Sequence, residues 1–446
     1  MGFLDNFKAV FKTQTHDSNE LASMYTGGLF TSEKGNIERI EESVPAVNYE
    51  QLRQFISKSP WCHNQLMTEI ALRANRKLKD YSNKSELPIG FYIDESSFVK
   101  KGMHSVGVSR QWLGCRGKVD NGQVAVFSSL GCGAYNSLID CRLFLPECWT
   151  EDKERCNRAG IPEDEQEFKT KIELAIESVM EARTQGIVYD FIAVDALYGS
   201  SFKFINRLDQ LGEVVMGRMR NSIHVYLEEP LFQLPERESN KGRKPTKLRA
   251  QTLSVTVKSI AESIKENLWE DIDIRSTTKG ILKVQAFQKK VWLHDDESGE
   301  VKQWDLIICR DNQTTSLKDY TYTISNTASS KTLQEMIQMD RQRYWIERSF
   351  QDNKNEVAMD EYQVRKYRGF YHHMSLCMLA TLFLMEERMD CKDTLPLLSC
   401  ADIRRAMEFL MPKKVTNLEE FCVQMEVRHI KRQKSIDHAS RDAIPH

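Results

Sequence analysis

The sequence carries little net charge, because 62 lysines and arginines are offset by 64 aspartates and glutamates, for a formal charge of −2. A globally basic surface of the kind that attracts nucleic acid is therefore excluded, and any such partner must be met by local basic patches. The eleven cysteines form no Cys-x-x-Cys pair and no Cys/His cluster at zinc spacing. An odd number of unpatterned cysteines is typical of reduced thiols in a cytosol.

Long hydrophobic runs are also lacking. The most apolar run, Met374 to Met385, is well short of the ~20 residues of a membrane span. The first residues have no apolar signal-peptide core, and Asn6 breaks the myristoylation pattern. We find no internal repeat or low-complexity tract. These absences predict a soluble intracellular protein, and 446 residues correspond to two to four domains.

The order of predicted elements indicates the fold. Residues to about 85 have helical patterns, and from Leu87 the period changes to that of strands. Three strands follow, the second after a predicted Asp120-Asn121-Gly122 turn, and then a charged helix near residues 163–183. The run IVYDFIAVDALYG is almost continuously apolar, as in a buried central parallel strand. A short helix and the strand EVVMGRM complete the order of a ribonuclease-H-like α/β fold.

The remaining chain divides into three further parts. Residues 221–330 hold strand-like runs and a basic loop, and are predicted to form a mostly β insertion. An apolar helix from Phe370 to Met385 belongs to the core, and the chain ends in charged helical sequence with the basic tail RHIKRQK. The predicted domains are an N-terminal helical, possibly DNA-binding domain, the first part of the core, the insertion, the closing core helices and a C-terminal helical tail: 1–85, 86–220, 221–330, 331–395 and 396–446.

Two aspartates stand at the ends of predicted strands. Asp94 ends the first strand, on the same face as Tyr92 and opposite to Glu95. Asp195 closes the buried strand. Because the first and fourth strands of a ribonuclease-H-like sheet are neighbours, we expect Asp94 and Asp195 to lie side by side.

A third acid lies in the stretch RYWIERSFQDNK, within a helical segment that begins near Thr332 with a Thr-x-x-Glu capping box. At ~100° per residue, Arg343, Glu347 and Lys354 fall on one face. That face is either a solvated salt-bridge row, at ~0.2–0.5 kcal/mol per pair, or part of a site.

Three converging carboxylates would be costly without a cation between them. Hard oxygen ligands select Mg²⁺ or Mn²⁺, and two such ions ~3.5–4 Å apart activate the attacking oxygen and stabilise the leaving oxygen of a phosphodiester. Alternatively, Asp94 and Asp195 merely cap strand ends and Glu347 pairs with Arg343. Spacing alone leaves both readings open.

The blocks around these acids resemble insertion-sequence transposases of the DDE class, in the insertion-sequence-four-like superfamily with a Tyr–Arg–Glu–Lys signature. The first block is IDESSFVKKGMHSVGVSRQW with GKVDNGQVAV, the second is AVDALYG, and the third is RYWIERSFQDNKNEVAMDEYQVRKYRGFYHH. The segment NIERIEESVP with YEQLRQFISKSPW is similar to the N-terminal helical region of one branch. Arg343, Glu347 and Lys354 match the signature, but Asp340 occupies its Tyr position, so the role of that Tyr does not carry over.

The resemblance implies an enzyme, in the cytoplasm of a prokaryote and associated with its nucleoid, that binds the inverted double-stranded DNA ends of its own element. It would cleave each end and join the 3′-hydroxyl to target DNA, as a homodimer when active. Asp94, Asp195 and Glu347 would ligate two Mg²⁺ or Mn²⁺ ions, and Arg343 and Lys354 would hold phosphates. A hairpin intermediate is compatible with the insertion, where Trp292 or Trp304 would stack on an extruded base. The alternatives are a metal-dependent nuclease without strand transfer and a domesticated, non-catalytic DNA-binding protein.

The loop NKGRKPTKLR within the insertion contains five lysines and arginines. Its cations surround a Gly and a Pro, as in a flexible phosphate-binding arm, although an exposed charge run is more often simply solvated. The candidate DNA contacts are Lys241, Arg243, Lys244, Lys247 and Arg249.

Overall fold

A large mixed β-sheet flanked by helices forms the body of the protein in the computed structural model, which describes residues 2–234, 249–277, 280–295, 299–311, 317–327 and 330–442. The N-terminal region is helical, as predicted. Its helices are α1 (Gly2–Asp5), α2 (Lys8–Phe11), α3 (Asn19–Thr31), α4 (Ile37–Ser43), α5 (Tyr49–Ser57) and α6 (His63–Ser85).

The central part alternates strands and helices. Its first strands are β1 (Ile89–Val99), β2 (Ser109–Leu113), β3 (Lys118–Cys132) and β4 (Tyr135–Leu143). There follow α7 (Glu147–Thr150), α8 (Lys153–Ala159), α9 (Lys171–Thr184), β5 (Phe191–Val194), α10 (Ala196–Gly199), α11 (Phe202–Gln210) and β6 (Val215–Arg218).

Strand pairing gives the central order β4-β3-β1-β5-β6. Strand β3 is antiparallel to both β1 and β4, whereas β5 is parallel to both β1 and β6. Every residue of β5 is buried, as its nearly continuous apolar sequence predicts for a strand covered on both faces. The expected adjacency of the first strand and the buried central strand is confirmed.

The predicted turn at Asp120-Asn121-Gly122 is wrong, because these residues lie inside β3 and pair with β2. Gly122 is opposite both Val99 and Ser109. A Cβ there would lie 2.5 Å from the Phe98 carbonyl oxygen, so this glycine permits close strand approach and does not make a turn. The turn lies instead at residues 114–117, where Gly117 has a φ of +60°.

Four strands of the segment 221–330 extend the same sheet. This segment contains β7 (His224–Val225), β8 (Phe232–Gln233), β9 (Arg249–Ala250), β10 (Val255–Thr256), α12 (Val257–Ser263), β11 (Glu270–Thr277), β12 (Gly280–His294), β13 (Val301–Arg310) and β14 (Thr321–Ser325). Strands β11 to β14 form an antiparallel series, and β14 pairs antiparallel with β6. Among the described residues, β1–β6 and β11–β14 therefore make one ten-stranded sheet, whereas β7 with β10 and β8 with β9 form two separate two-stranded sheets.

The last part of the chain is helical. It comprises α13 (Leu333–Gln342), α14 (Tyr344–Glu356), α15 (Tyr367–Asp390), α16 (Cys400–Leu410) and α17 (Leu418–Asp442). The capping box of Thr332 and Glu335 is confirmed at the start of α13. The helical segment that it opens is divided at Arg343, which separates α13 from α14.

Helix α15 is the predicted apolar core helix, and most of its residues are buried. The N-terminal helices pack against it. His373 of α15 is hydrogen-bonded to Tyr25 of α3 (2.9 Å), and Arg73 of α6 makes two hydrogen bonds to Glu386 (2.6 and 2.7 Å). Within the described residues, no helix is both long and apolar enough to cross a bilayer.

Candidate active site

The middle of β1 and the end of β5 bring two aspartates side by side. The prediction that Asp94 ends its strand is wrong, because β1 continues to Val99 in its ladder with β3. Ile93 pairs with Val194 in the parallel ladder, and Asp94 and Asp195 are the next residues of their chains. Neighbouring strands lie about 4.8 Å apart, so the two carboxylates share one edge of the sheet centre. This placement agrees with the sequence prediction.

Asp195 ends its strand by starting a helix. Its side chain accepts hydrogen bonds from the backbone N–H groups of Leu197 (2.9 Å) and Tyr198 (3.3 Å), as an N-cap does. The short helix α10 then lies directly against β6, and a Cβ on Gly199 would come within 2.1 Å of the Arg218 carbonyl oxygen. Gly199 therefore allows α10 to pack closely against β6, with Asp195 at the start of the helix.

The paired aspartates carry more negative charge than their surroundings balance. Burial, and then the neighbouring Asp195, raise the pKa of Asp94 to about 7, while Arg343 opposes the rise. Burial also raises the pKa of Asp195, with Glu95 as the next cause. A bound cation would relieve both effects.

Arg343 joins Glu347 to this pair. Its guanidinium lies 3.3 Å from a carboxylate oxygen of Asp94 and 2.5 Å from one of Glu347. The side chains of Asp94 and Arg343 are each 15% exposed, whereas that of Glu347 is 53% exposed. Glu347 is thus connected to Asp94 through a cation.

The predicted set of three carboxylate ligands is not assembled as one group. Among the residues that the structure describes, no three His, Cys, Asp or Glu side chains are placed to hold a metal ion. The donor chemistry nevertheless suits a hard divalent cation, because Asp94 and Asp195 offer buried oxygen ligands with incomplete charge compensation.

Glu95 is a neighbour of the site that the sequence did not assign to it. It accepts hydrogen bonds from the Tyr198 hydroxyl (3.0 Å) and from the Lys171 ammonium (2.8 Å). As predicted from alternation, it points to a different set of partners from Asp94. The available signal was Tyr198, which lies one turn beyond Asp195 in AVDALYG.

Asp340, at the Tyr position of the signature, has a structural role. It is 3% exposed and makes two hydrogen bonds to the Arg218 guanidinium, both 2.8 Å. The Thr323 hydroxyl donates a third, at 3.0 Å. These contacts, Arg218 first among them, outweigh burial and lower the pKa of the Asp340 carboxyl. They attach α13 to β6 and β14.

Lys354 lies on α14, seven residues beyond Glu347, or about 10 Å along the helix axis. Its ammonium is 5.8 Å from the centre of the Phe98 ring. No acidic side chain forms an ion pair with it in the described part of the chain. The salt-bridge alternative is therefore unsupported at Lys354, whereas Arg343 and Glu347 do form the pair that this alternative expects.

Most of the basic loop lies outside the described residues. This applies to Lys241, Arg243, Lys244 and Lys247. Arg249 is exposed in the two-residue strand β9, opposite Gln233. Of the tryptophans considered for base stacking, Trp304 is only 2% exposed, so it is a core residue, and Trp292 is half-buried and paired through its backbone with Tyr226.

The chain is 28% identical over 228 residues to a probable transposase for insertion sequence element IS701 from Microchaete diplosiphon. The match covers 50% of the chain and 55% of the relative, so the chain spans about half the length of that curated protein.

One solved structure, that of the NurA nuclease from Sulfolobus solfataricus, aligns with 79% of this chain and 98% of its own, at 11% identity. The TM-score of this alignment is 0.22, which is too low to indicate a shared fold. A family model for DDE superfamily endonucleases matches residues 6–281, a range that includes Asp94 and Asp195 and ends before Glu347. Because this match extends over more than half of the sequence, the chain belongs to the DDE superfamily endonucleases.

Proposed function

We propose that the protein is a DDE transposase that binds the inverted ends of its own element, cleaves the DNA strands and joins the 3′-hydroxyl ends to target DNA. The observation that carries the proposal is the pair Asp94 and Asp195, which directly follow the last paired residues of the parallel ladder of β1 and β5, with Arg343 between Asp94 and Glu347. Family membership and the similarity to a probable insertion-sequence transposase support it.

The strands β4-β3-β1-β5-β6 form, in this proposal, a ribonuclease-H-like core. Support comes from their order and directions, with an antiparallel set of three followed by two strands parallel to the first. In that arrangement the parallel ladder of β1 and β5 ends at Ile93 and Val194, and both aspartates directly follow it.

Members of the superfamily generally use divalent metal ions. We propose that Asp94, Asp195 and Glu347 hold two Mg²⁺ or Mn²⁺ ions, which supply Lewis acidity for the attacking and leaving oxygens when bound. Glu347 has to exchange Arg343 for metal to complete the set. Its exposure of 53% leaves the side chain room to reorient.

Arg343 then becomes available for DNA. Once Glu347 and Asp94 face metal, the guanidinium is placed to donate two hydrogen bonds to one phosphate. Lys354, about 10 Å along α14, acts as a point charge on a neighbouring phosphate. Glu95 stays with Tyr198 and Lys171, and Asp195 keeps its backbone hydrogen bonds.

Joining two element ends requires two active sites, so the working form is proposed to be a homodimer on double-stranded DNA. A nuclease of the same family without strand transfer is the main alternative. The presence of all three acids argues against a non-catalytic DNA-binding protein. Transfer of a labelled 3′ end into plasmid DNA distinguishes the transposase from the nuclease.

The acids are tested by amide substitution. We expect Asp94→Asn, Asp195→Asn and Glu347→Gln each to lower the cleavage rate by more than ~10²-fold, since even partners behind metal ligands contribute 10- to 100-fold. Binding to the ends should be retained. The matched control is Glu356→Gln, the same change on the same helix, where the carboxylate faces Arg404.

A second readout separates catalysis from folding. Asp94→Asn removes a buried charge that repels Asp195, so its thermal midpoint should not fall below that of the wild type. A Glu347→Gln protein that nicks its ends at the wild-type rate in Mg²⁺ would remove Glu347 from the site.

A further inference from the structure

A row of cations follows the face of β1 that carries Asp94. Because side chains alternate along a strand, Asp94, Phe98 and the following Lys100 share a face. Arg343 contacts Asp94 (3.3 Å), and the Lys354 ammonium lies 5.8 Å from the Phe98 ring centre. The row therefore runs away from the paired aspartates along β1.

The rings of Phe98 and Tyr362 lie between Lys354 and Lys100, the next cation of the row. The Tyr362 ring lies 5.8 Å from that of Phe98, centre to centre. The Lys100 ammonium lies over Tyr362, 3.4 Å from its centre, and donates a hydrogen bond to the Tyr362 carbonyl (3.1 Å). Six residues of extended strand separate Asp94 from Lys100, which is about 20 Å.

At Lys100 the row enters a cleft of about 700 Å³ that is lined by α4, α5 and the loop segments 100–105 and 362–365. A second cavity of about 800 Å³ shares His104 and Arg365 with it. We call the two together the basic trough. Its charged lining consists of Arg53, Lys100, Lys101, Arg155, Arg158, Arg365 and Lys366, with the acids Glu38 and Asp152.

The lining holds seven cations and two acids, and two further acids, Glu50 and Glu154, pair with Arg53 and Arg158. Seven cations against these four acids leave a local excess of three positive charges in a chain whose net charge is −2. Several of these cations donate hydrogen bonds to neutral groups, which do not compensate their positive charge. Arg155, for example, donates a hydrogen bond to the Met103 carbonyl (3.1 Å). Arg53 and Arg158 pair with exposed acids, Glu50 and Glu154.

Lys101 and Arg365 are exposed, and neither forms an ion pair with an acid in the described ranges. Burial lowers the pKa of Lys100 to about 8, which indicates that its positive charge is only partly compensated.

We propose that the basic trough binds the sugar–phosphate backbone of duplex DNA on one side of the scissile phosphate. The inference rests on the proposed function and names a path for its DNA. Duplex DNA carries phosphates every 3.4 Å along each strand, so the ~20 Å from Asp94 to Lys100 corresponds to about six base pairs. Lysine and arginine contacts to phosphates fix position without reading sequence.

The test uses the double variant Lys101→Ala/Arg365→Ala, because neither side chain forms an ion pair with any residue that the structure describes. Its affinity for a fluorescein-labelled random duplex of about 30 base pairs is measured from about 50 to about 200 mM salt. Two lost phosphate contacts should flatten the slope of log K against log salt by ~1.8. The matched control is Arg76→Ala/Lys79→Ala, two exposed cations of α6 that line neither cavity, and its slope should equal that of the wild type.

The outcomes separate the two proposals. A wild-type protein that does not bind the duplex overturns the proposed function and the trough with it. A wild-type protein that binds, with a trough variant of unchanged slope, overturns the trough alone. A trough variant that loses affinity for an RNA duplex of the same sequence and keeps its affinity for DNA also overturns the trough alone.

Discussion

At the scale of single residues, a buried carboxylate occupies the place where the family signature has a tyrosine. The side chains of Asp340 and Arg218 are 4% and 18% exposed, and two hydrogen bonds join them. Arg218 is the last residue of β6, the strand beside β5, and Asp340 lies three residues before Arg343. The pair therefore sets the distance between the helix with Arg343 and the sheet with Asp195.

Removing one member of this pair should destabilise the protein. We expect Asp340→Asn to lower the free energy of unfolding by ~3–5 kcal/mol, because Arg218 remains buried without its partner. Urea unfolding measures the change. In the double variant Arg218→Met/Asp340→Leu the loss should be smaller than the sum of the single losses, since no charge is left unpaired.

A surface pair provides the comparison for this prediction. Lys283 and Asp273 are each 50% exposed, so Asp273→Asn should cost at most ~1 kcal/mol. An Asp340→Asn protein that unfolds within 1 kcal/mol of the wild type would show that the pair does not hold α13 in place.

Lys354 allows DNA contact to be tested apart from metal contact. Lys354→Ala should leave the Mn²⁺ dependence of cleavage unchanged, because the side chain begins about 10 Å along the helix from Glu347. The cleavage rate should fall by ~10²-fold if the contact is worth ~2.7 kcal/mol at the transition state. Lys354→Arg retains the charge and should recover most of the rate. A fully active alanine variant would exclude Lys354 from the site.

The sequence predicted the aspartate pair but not the Asp340 contact, for a physical reason. Asp195 follows the end of β5 and Asp94 lies within β1, and the parallel pairing of these two apolar strands makes the aspartates neighbours. Asp340 and Arg218 are 122 residues apart, and neither has a local pattern that reveals its partner. The proposed exchange of Glu347 between Arg343 and metal likewise depends on distances between side chains. The spacing of residues along the sequence does not give those distances.

At the scale of elements, α15 carries histidines in a nearly apolar environment. The Tyr25 hydroxyl lies 2.9 Å from Nδ1 of His373, and Nε2 lies 3.3 Å from the Met359 carbonyl. One ring nitrogen accepting and the other donating is the pattern of a neutral imidazole. Burial lowers the pKa of His373 to about 3 and that of His63, on α6, to about 4.

These histidines make stability depend on pH. The unfolded chain binds a proton below about 6.5, whereas folded His373 does so only near pH 3. Stability is therefore intact above about pH 6.5 and falls as pH decreases toward about 3, by about 2 kcal/mol at pH 5 for His373 alone. Unfolding of wild type and His373→Gln at pH 7 and pH 5 should show a smaller acid loss in the variant.

The control for this prediction is the exposed His16. His16→Gln should lose as much stability between pH 7 and pH 5 as the wild type does. Equal losses in all three proteins would mean that His373 does not contribute to the acid sensitivity.

Elements with a strong period were predictable, and those set by pairing were not. The apolar run from Phe370 to Met385 is inside α15, and the run ending at Asp195 is β5 with its cap. The turn at Asp120 to Gly122 failed because the two ladders of β3 override a local turn signal.

At the scale of the whole molecule, the predicted insertion is continuous with the sheet that carries the aspartates. The sequence predicted the strands β12, β13 and β14, whose runs are rich in β-branched and aromatic residues. It did not predict that β14 pairs with β6, because register between distant strands leaves no trace in local composition. The predicted division of the chain into domains remains a prediction.

The same pairing has a consequence for the order of synthesis. Arg218 of β6 pairs with Thr323 of β14, so more than a hundred residues are translated before β6 receives its outer neighbour. At ~5–20 residues per second, the edge of β6 stays bare for roughly 5–20 s on the ribosome. An unpaired buried strand is a template for pairing with other chains. The nascent protein is therefore most prone to aggregate in the interval after β6 has emerged and before β14 follows it.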